Sequence, residues 1–326
     1  MNGTTAHKVA VLDLGTNTFN LLLVKITSKA YYIFHNEKVA VMIGKGGINK
    51  GIINEEARER ALNALNYYRK IIDAENITIV YGYATSAFRD AANGEVFRNL
   101  IEEKTGLSIN IISGDEEAKY IYRGVQTAFD IGGDNALIMD IGGGSVEFII
   151  GNRDKIAWKK SFNIGAQRLL DWFHEVDPIP IEEINKLDAF FEKELGELTA
   201  QIIEYEPKCL IGSSGTFDTL SEIYQHRINR FTQGDETELP LTTGGFEEIH
   251  QLIIRLNRQD RLAIPGMIEM RVDMIVVASC LVKYIIDHCG IRHIRVSAHA
   301  LKEGMINHIR GKLIGNENIS SVSKSS

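Results

Sequence analysis

Residues 8–26, KVAVLDLGTNTFNLLLVKI, and their later echo at residues 135–150, NALIMDIGGGSVEFII, decide how this chain folds. In each, an apolar run ends in Asp-x-Gly, a turn of small residues follows, and a second apolar run leads away. That is the pattern of a β-hairpin around a Gly/Asn turn. The first turn is Gly15-Thr16-Asn17-Thr18 behind Asp13; the second is Gly142-Gly143-Gly144-Ser145 behind Asp140. Each opens a longer stretch of alternating strand and helix patterns. A figure that recurs with the same internal spacing marks a duplicated architecture, here two similar α/β domains with a cleft between them.

Working outward, residues 31–42 read as a third strand, and Asn54 caps a helix over 54–72 whose Ala57, Ala61, Leu65, Tyr68 and Ile72 share one face. Residues 77–83 and 107–112 are strand-like, 84–104 helical with a break at Asn93-Gly94, and 115–129 helical. The second half repeats the scheme with a strand at 155–162, helices at 167–173 and 181–205, and a strand at 209–211. A final helix near 300–311 is expected to pack back on the first domain. The domains run 1–128 and 129–299, with about 300–315 returning, and the polar, Ser-rich residues 316–326 read as a disordered tail.

The composition bounds the function classes. The chain has 326 residues, 44% of them hydrophobic and 24% charged, as in a soluble globular protein. Its net charge of −7 argues against a nucleic-acid binder but allows a locally positive pocket for a polyanion. No stretch reads as a signal peptide or a membrane span; residues 272–286 are interrupted by Asp273, Ser279 and Lys283 and read as a buried helix. Three cysteines without metal-ligand spacing fit a reducing, cytoplasmic compartment.

The chemistry concentrates at the turns. Residues without Cβ atoms let successive N–H groups converge on an anion, and Thr and Ser hydroxyls add donors. A third small-residue turn, Gly212-Ser213-Ser214-Gly215-Thr216, stands between a strand and a helix, where the free N–H groups of a helix start bind anions. Asp13 and Asp140 sit beside two of these turns, where a carboxylate next to a phosphate calls for a cation such as Mg²⁺; Glu147 is within reach of the same ion. Turn capping is the alternative role for both aspartates. Arg89 follows a strand end and suits bidentate contact with phosphate, or else a surface pair with Asp90. Asp115, Glu116 and Glu117 open a helix. Residue chemistry alone favours dipole complementation there and leaves a general base undecided.

Together these segments resemble the exopolyphosphatase and guanosine pentaphosphate phosphohydrolase (Ppx/GppA) family, over nearly the whole chain and in register. The most specific pieces are 84–93 (ATSAFRDAAN), 112–125 (ISGDEEAKYIYRGV) and 140–147 (DIGGGSVE), supported by 13–23, 44–65, 212–220, 264–277 (IPGMIEMRVDMIVV) and 296–306 (VSAHALKEGMI). The resemblance implies duplicated RNase H-like domains of the actin/Hsp70/sugar-kinase class with the active site in the interdomain cleft. It also implies Mg²⁺-dependent removal of the terminal phosphate of polyphosphate or of pppGpp, and a homodimer. By position it makes Glu117 the general base and Arg89 the ligand of the attacked phosphate. Asp140, Glu147 and Asp13 would hold metal or orient water, and the three turns would hold phosphates. Asn20 stands where the family commonly has Arg or His, Val146 replaces a usual Thr, Ala300 an often-present Gly, and the usual Pro and Ala between Gly266 and Asp273 are absent. These departures bear on substrate preference. The further C-terminal helical domains of longer members are not in this sequence, an expectation of preference for shorter phosphate chains or a nucleotide. An ATP-dependent kinase or ATPase of the same fold, and a catalytically silent phosphate-polymer or pppGpp sensor, are the competing readings.

Overall fold

A computed structural model describes residues 6–233 and 236–322, with side chains through residue 315. The chain divides into two compact units, the first made of the residues up to Tyr120 and those from Leu301 on, the second of Ile121–Ala300.

The first unit begins with β1 (His7–Leu14), β2 (Thr18–Ile26) and β3 (Tyr31–Ala40). It continues through α1 (Glu55–Ala74), β4 (Ile79–Ala84), α2 (Ser86–Arg89), α3 (Gly94–Thr105) and β5 (Ile109–Ile111) into α4 (Gly114–Ala128). The sheet order is β3-β2-β1-β4-β5. β1 pairs antiparallel with β2 and parallel with β4. β1 and β2 are buried on both faces, so they read as near-continuous apolar runs with no alternation to mark an outer side. One face, through Leu12, Leu14, Phe19 and Leu21, meets Ala57, Leu65 and Tyr68 of α1 and Phe97 of α3. The other, through Val9, Val11, Leu22 and Val24, meets Met305, Ile306 and Ile309. Those three residues belong to the last helix of the chain, which covers a sheet face that would otherwise be exposed. α1 starts where its chemistry requires: the Asn54 side chain accepts from the Ala57 N–H at 2.9 Å, and Glu55 and Glu56 fill the first turn.

The second unit repeats the plan with β6 (Ala136–Ile141), β7 (Val146–Gly151), β8 (Ile156–Phe162), α5 (Ala166–Phe173), α6 (Ile181–Glu194), α7 (Gly196–Tyr205), β9 (Leu210–Ser213) and α8 (Ser214–Ile228). It closes with β10 (Glu238–Leu239), α9 (Thr243–Arg255), α10 (Arg258–Leu262), α11 (Met274–His288) and β11 (Ile294–Ser297). Its sheet order is β10-β11-β9-β6-β7-β8. Without the short β10 this is the order of the first sheet, again with three antiparallel strands followed by parallel ones. Two such sheets in one chain are the duplicated RNase H-like arrangement of the actin/Hsp70/sugar-kinase class. α11 is buried along most of its length, from Met274 to Leu281 without a break, which explains its apolar sequence. Among the described residues no helix is long and apolar enough to cross a membrane.

Two boundaries differ from the sequence expectation. The units divide inside α4, between Tyr120 and Ile121, and not at residue 128. The first part of α4 packs Tyr120 edge-on against Tyr83, while further along Gln126 donates to the Arg153 carbonyl at 2.8 Å. One uninterrupted helix thus contributes residues to both units. The last helix, α12 (Leu301–Val322), continues through most of the stretch read as a disordered tail; residues 323–326 lie outside the described part.

Candidate active site

The two Asp-x-Gly turns match in register and hydrogen bonding. In the first, Gly15 N–H donates to the Thr18 carbonyl at 3.1 Å; in the second, Gly142 N–H donates to the Ser145 carbonyl at 3.0 Å. Asp13 pairs across the hairpin with Asn20, and Asp140 with Glu147. On their parallel side they neighbour Tyr83 and Ser213.

In the first unit the turn is fastened from two sides. Met42 and Gly44 N–H groups bond the Asn17 and Thr16 carbonyls at 2.8 and 3.2 Å. The buried Thr16 hydroxyl lies 3.0 Å from that of Ser86, at the start of α2. The turn and the segment carrying Arg89 are therefore one assembly. Asp13 accepts from the Asn20 amide at 2.9 Å, so an uncharged donor stands beside it. Arg89 is mostly enclosed, its side chain 19% exposed, and its Nε pairs with Asp90 Oδ1 at 3.7 Å, so the expected pair with Asp90 is present as well. Its Nη1 donates to Glu117 Oε2 at 2.9 Å and to the Ile112 carbonyl at 3.1 Å.

The three acids of α4 now separate. Glu116 and Ser113 form a reciprocal capping box: Glu116 accepts from the Ser113 N–H and hydroxyl, and Ser113 Oγ accepts from the Glu116 N–H. Asp115 pairs with Lys119 one turn on. Dipole complementation describes those two. Glu117, only 6% exposed, points inward to Arg89.

In the second unit the pairing places Ser161, Glu147, Asp140, Ser213 and Ser297 in one row across five strands. Ser161 Oγ donates to Glu147 Oε1 at 2.6 Å, and Ser213 Oγ to Asp140 Oδ2 at 2.7 Å. Burial pushes the Asp140 carboxyl up to about 6, against the hydroxyls of Ser213 and Ser214 and the charge of Arg271. Two adjoining buried carboxylates steadied by serine hydroxyls are hard oxygen donors of the kind Mg²⁺ takes when waters and substrate phosphates complete its shell. No cluster of three or more His, Cys, Asp or Glu able to hold a metal occurs among the described residues.

The glycine turn is shaped by α5. Ala166, Gln167 and Gly165 N–H groups bond the carbonyls of Gly142, Gly143 and Gly144 at 2.9, 2.8 and 3.3 Å. Arg168 Nε adds a bond of 2.8 Å to the Gly144 carbonyl. With these carbonyls drawn to α5, peptide planarity turns the N–H groups of Gly143, Gly144 and Ser145 the other way. They form a concave set of donors suited to phosphate oxygens. The third turn ends β9 and opens α8. Ser214 holds φ at 72°, a left-handed conformation rare for a residue with a side chain. A Cβ on Gly215 would lie 2.1 Å from the Arg271 guanidinium, so the glycine makes room for that arginine. Burial pulls the Arg271 pKa down while Asp218 and Asp140 hold it up.

Each unit thus gathers its own sequence-predicted residues: Asp13, Gly15–Thr18, Arg89 and Glu117 in the first; Asp140, Gly142–Ser145, Glu147 and Gly212–Thr216 in the second. Arg271, Arg168 and Ser161 were missed. Arg168 left a signal, a cation in the first turn of a helix where the dipole disfavours it. Arg271 left a weaker one, a cation between Glu269 and Asp273 just ahead of the most apolar helix. Ser161 left none.

The model of the Ppx/GppA phosphatase family matches residues 22–312. A bifunctional 3-dehydroquinate synthase/phosphatase of Fusobacterium nucleatum is 32% identical over 91% of this chain, which spans only 46% of that relative's length. Among solved structures, an exopolyphosphatase from Cytophaga hutchinsonii is 41% identical with a TM-score of 0.90, covering 94% of this chain and 98% of that one. A Ppx/GppA family member from Aquifex aeolicus, 22% identical with a TM-score of 0.76 over 96% of this chain and 99% of its own, shares the fold.

Proposed function

Because the chain belongs to the Ppx/GppA phosphatase family, we propose that it hydrolyses the terminal phosphate of inorganic polyphosphate or of pppGpp. The observation that carries this reading is the buried Glu117 carboxylate 2.9 Å from the Arg89 guanidinium, set apart from the helix-capping acids beside it. A carboxylate in such a place accepts the proton of an attacking water, and a guanidinium beside it grips the oxygens of the phosphorus under attack. Phosphoryl transfer asks for positioning and charge stabilisation more than covalent chemistry. The N–H groups of the Gly15–Thr18, Gly142–Ser145 and Gly212–Thr216 turns suit the oxygens of a phosphate chain.

Asp140 and Glu147 would hold Mg²⁺, with Ser213 and Ser161 orienting them. When bound, that ion neutralises phosphate charge. Asp13, hydrogen-bonded to Asn20, is the weaker metal candidate of the three acids. The similarity to an exopolyphosphatase favours polyphosphate. pppGpp carries the same terminal anhydride.

The test is Glu117→Gln, assayed for phosphate release from tripolyphosphate, long polyphosphate and pppGpp side by side in Mg²⁺. Turnover should fall by about 10²–10⁴-fold. Near-normal release would remove Glu117 from the role of base, and release from none of the three substrates by the parent protein would defeat the reading altogether.

A further inference from the structure

The segment after β3 is held against the first turn by a side chain of α1. Val41 and Ile43 are both buried in the first unit's core, and between them Met42 holds φ at 49°, a left-handed conformation that a residue with a side chain rarely takes. Such a conformation persists where its surroundings over-determine it. Arg60 supplies that constraint: Nε donates to the Val41 carbonyl at 2.8 Å and Nη2 to the Met42 carbonyl at 3.0 Å. The planar fork of a guanidinium suits two successive carbonyls as a single ammonium does not. The peptide joining Val41 to Met42 thus carries the arginine at its carbonyl and the turn at its N–H, because the Met42 N–H donates to the Asn17 carbonyl at 2.8 Å. Further along, the Gly44 N–H donates to the Thr16 carbonyl at 3.2 Å. The approach there is close: a Cβ on Gly44 would lie 2.5 Å from Thr16 Cγ2.

We propose that Arg60 is a positioning residue for phosphate binding, clamping residues 41–44 so that they orient the N–H groups of the Gly15–Thr18 turn. This rests on the reading of that turn as a phosphate holder. The contacts pass through rigid units, since a trans peptide is flat and its C=O and N–H point opposite ways. Drawing the Thr16 and Asn17 carbonyls toward residues 42–44 therefore turns the Asn17 and Thr18 N–H groups the other way, which leaves them to meet an anion. In the second unit an arginine does the same work directly, with Arg168 on the Gly144 carbonyl. In the first unit the arginine acts one peptide removed from the turn.

The experiment compares the full-length parent with Arg60→Met, Arg60→Lys and the double variant Arg60→Met/Met42→Gly. Each is checked for folding by circular dichroism and assayed for steady-state phosphate release from tripolyphosphate in Mg²⁺. Arg60→Met keeps most of the stem and loses both bonds; should it fail to fold, Arg60→Gln takes its place. KM should rise about tenfold while kcat stays within about threefold of the parent, as for lost binding with Glu117 and Arg89 untouched. Glycine takes positive φ at no steric cost, so adding Met42→Gly should bring KM back to within about threefold of the parent. Arg60→Lys keeps the charge without the fork and should resemble Arg60→Met. Amide exchange gives a readout that needs no substrate: in Arg60→Met, residues 42–44 should exchange about tenfold faster while residues 9–12 of β1 do not change. A fall in kcat at unchanged KM, the mark of a smaller folded fraction, would overturn the proposal. So would parent-like KM in Arg60→Lys, no recovery by Met42→Gly, or unchanged exchange at 42–44. Should the parent release no phosphate, the proposed function falls, and the exchange result alone decides whether Arg60 clamps the segment.

Discussion

Gly165→Ala puts the link between α5 and the glycine turn to the test. Gly165 has φ −62° and ψ 159°, an extended conformation any residue adopts, so the backbone itself tolerates alanine. The space does not: the new Cβ would lie 2.4 Å from the carbonyl carbons of both Gly143 and Gly144, where ordinary contact begins near 3.4 Å. Those are backbone atoms with no rotamer to change. The turn must retreat by about 1 Å, a displacement that typically costs about 10²-fold in rate when it misplaces a binding group. The same shift strains three N–H bonds from α5, so stability should fall by about 2–3 kcal/mol. The assay is phosphate release from tripolyphosphate in Mg²⁺, paired with urea unfolding and circular dichroism to establish a folded variant. A folded Gly165→Ala protein retaining more than a third of the parent rate would refute the claim that α5 sets the donor geometry of the turn.

Other outcomes follow from buried groups in the second unit. Asp140 is raised from 3.8 to about 6 by burial, so the stability tied to it is complete below about 3.8 and lost as pH rises through 6, roughly 3 kcal/mol in all. In chelator, Asp140→Asn should therefore be more stable than the parent at pH 8 but not at pH 4, while losing phosphate release; equal urea midpoints at pH 8 would count against this. His250, lowered from 6.5 to about 4 by burial, works in the opposite sense. Its contribution is complete above about 6.5 and disappears as pH falls through 4, again roughly 3 kcal/mol. His250→Gln should flatten the acid side of the stability–pH curve, measured by urea unfolding between pH 7 and 4. Ser214→Gly removes a side chain held at φ 72° and should raise the unfolding free energy by about 1 kcal/mol while lowering kcat, because a hydroxyl beside Asp140 is lost; a destabilised variant would argue against strain at this turn.

The duplication was legible because its signal is local: Asp, one residue, Gly, and a small-residue turn, twice, each between apolar runs. The helix over 54–72 was legible from its period. That α4 serves two units was not, because periodicity shows that a helix has an apolar face without showing which core each turn of it enters. The polar row from Ser161 to Ser297 was invisible for a related reason: its members are far apart in sequence, and only strand order and register align them. The acids of α4 are an intermediate case. Their composition pointed to capping, and for Glu116 that is the outcome. The S-x-x-E spacing of Ser113 and Glu116 could have claimed that residue for the cap and left Glu117 as the acid still to be explained.

The matching registers of the two hairpins make the molecule a record of divergence between copies of one ancestor. At the position opposite the strand-ending aspartate, one copy carries Asn20 and the other Glu147; one row outward they carry Lys38 and Ser161. Had the halves remained separate identical subunits, any change at this position would have appeared on both sides at once. Fusion into a single chain removed that constraint. Negative charge could then accumulate on one turn while the other became neutral beside its aspartate, and a symmetric pair of anion-binding turns became an asymmetric pair, with two carboxylates facing each other across only one of the hairpins.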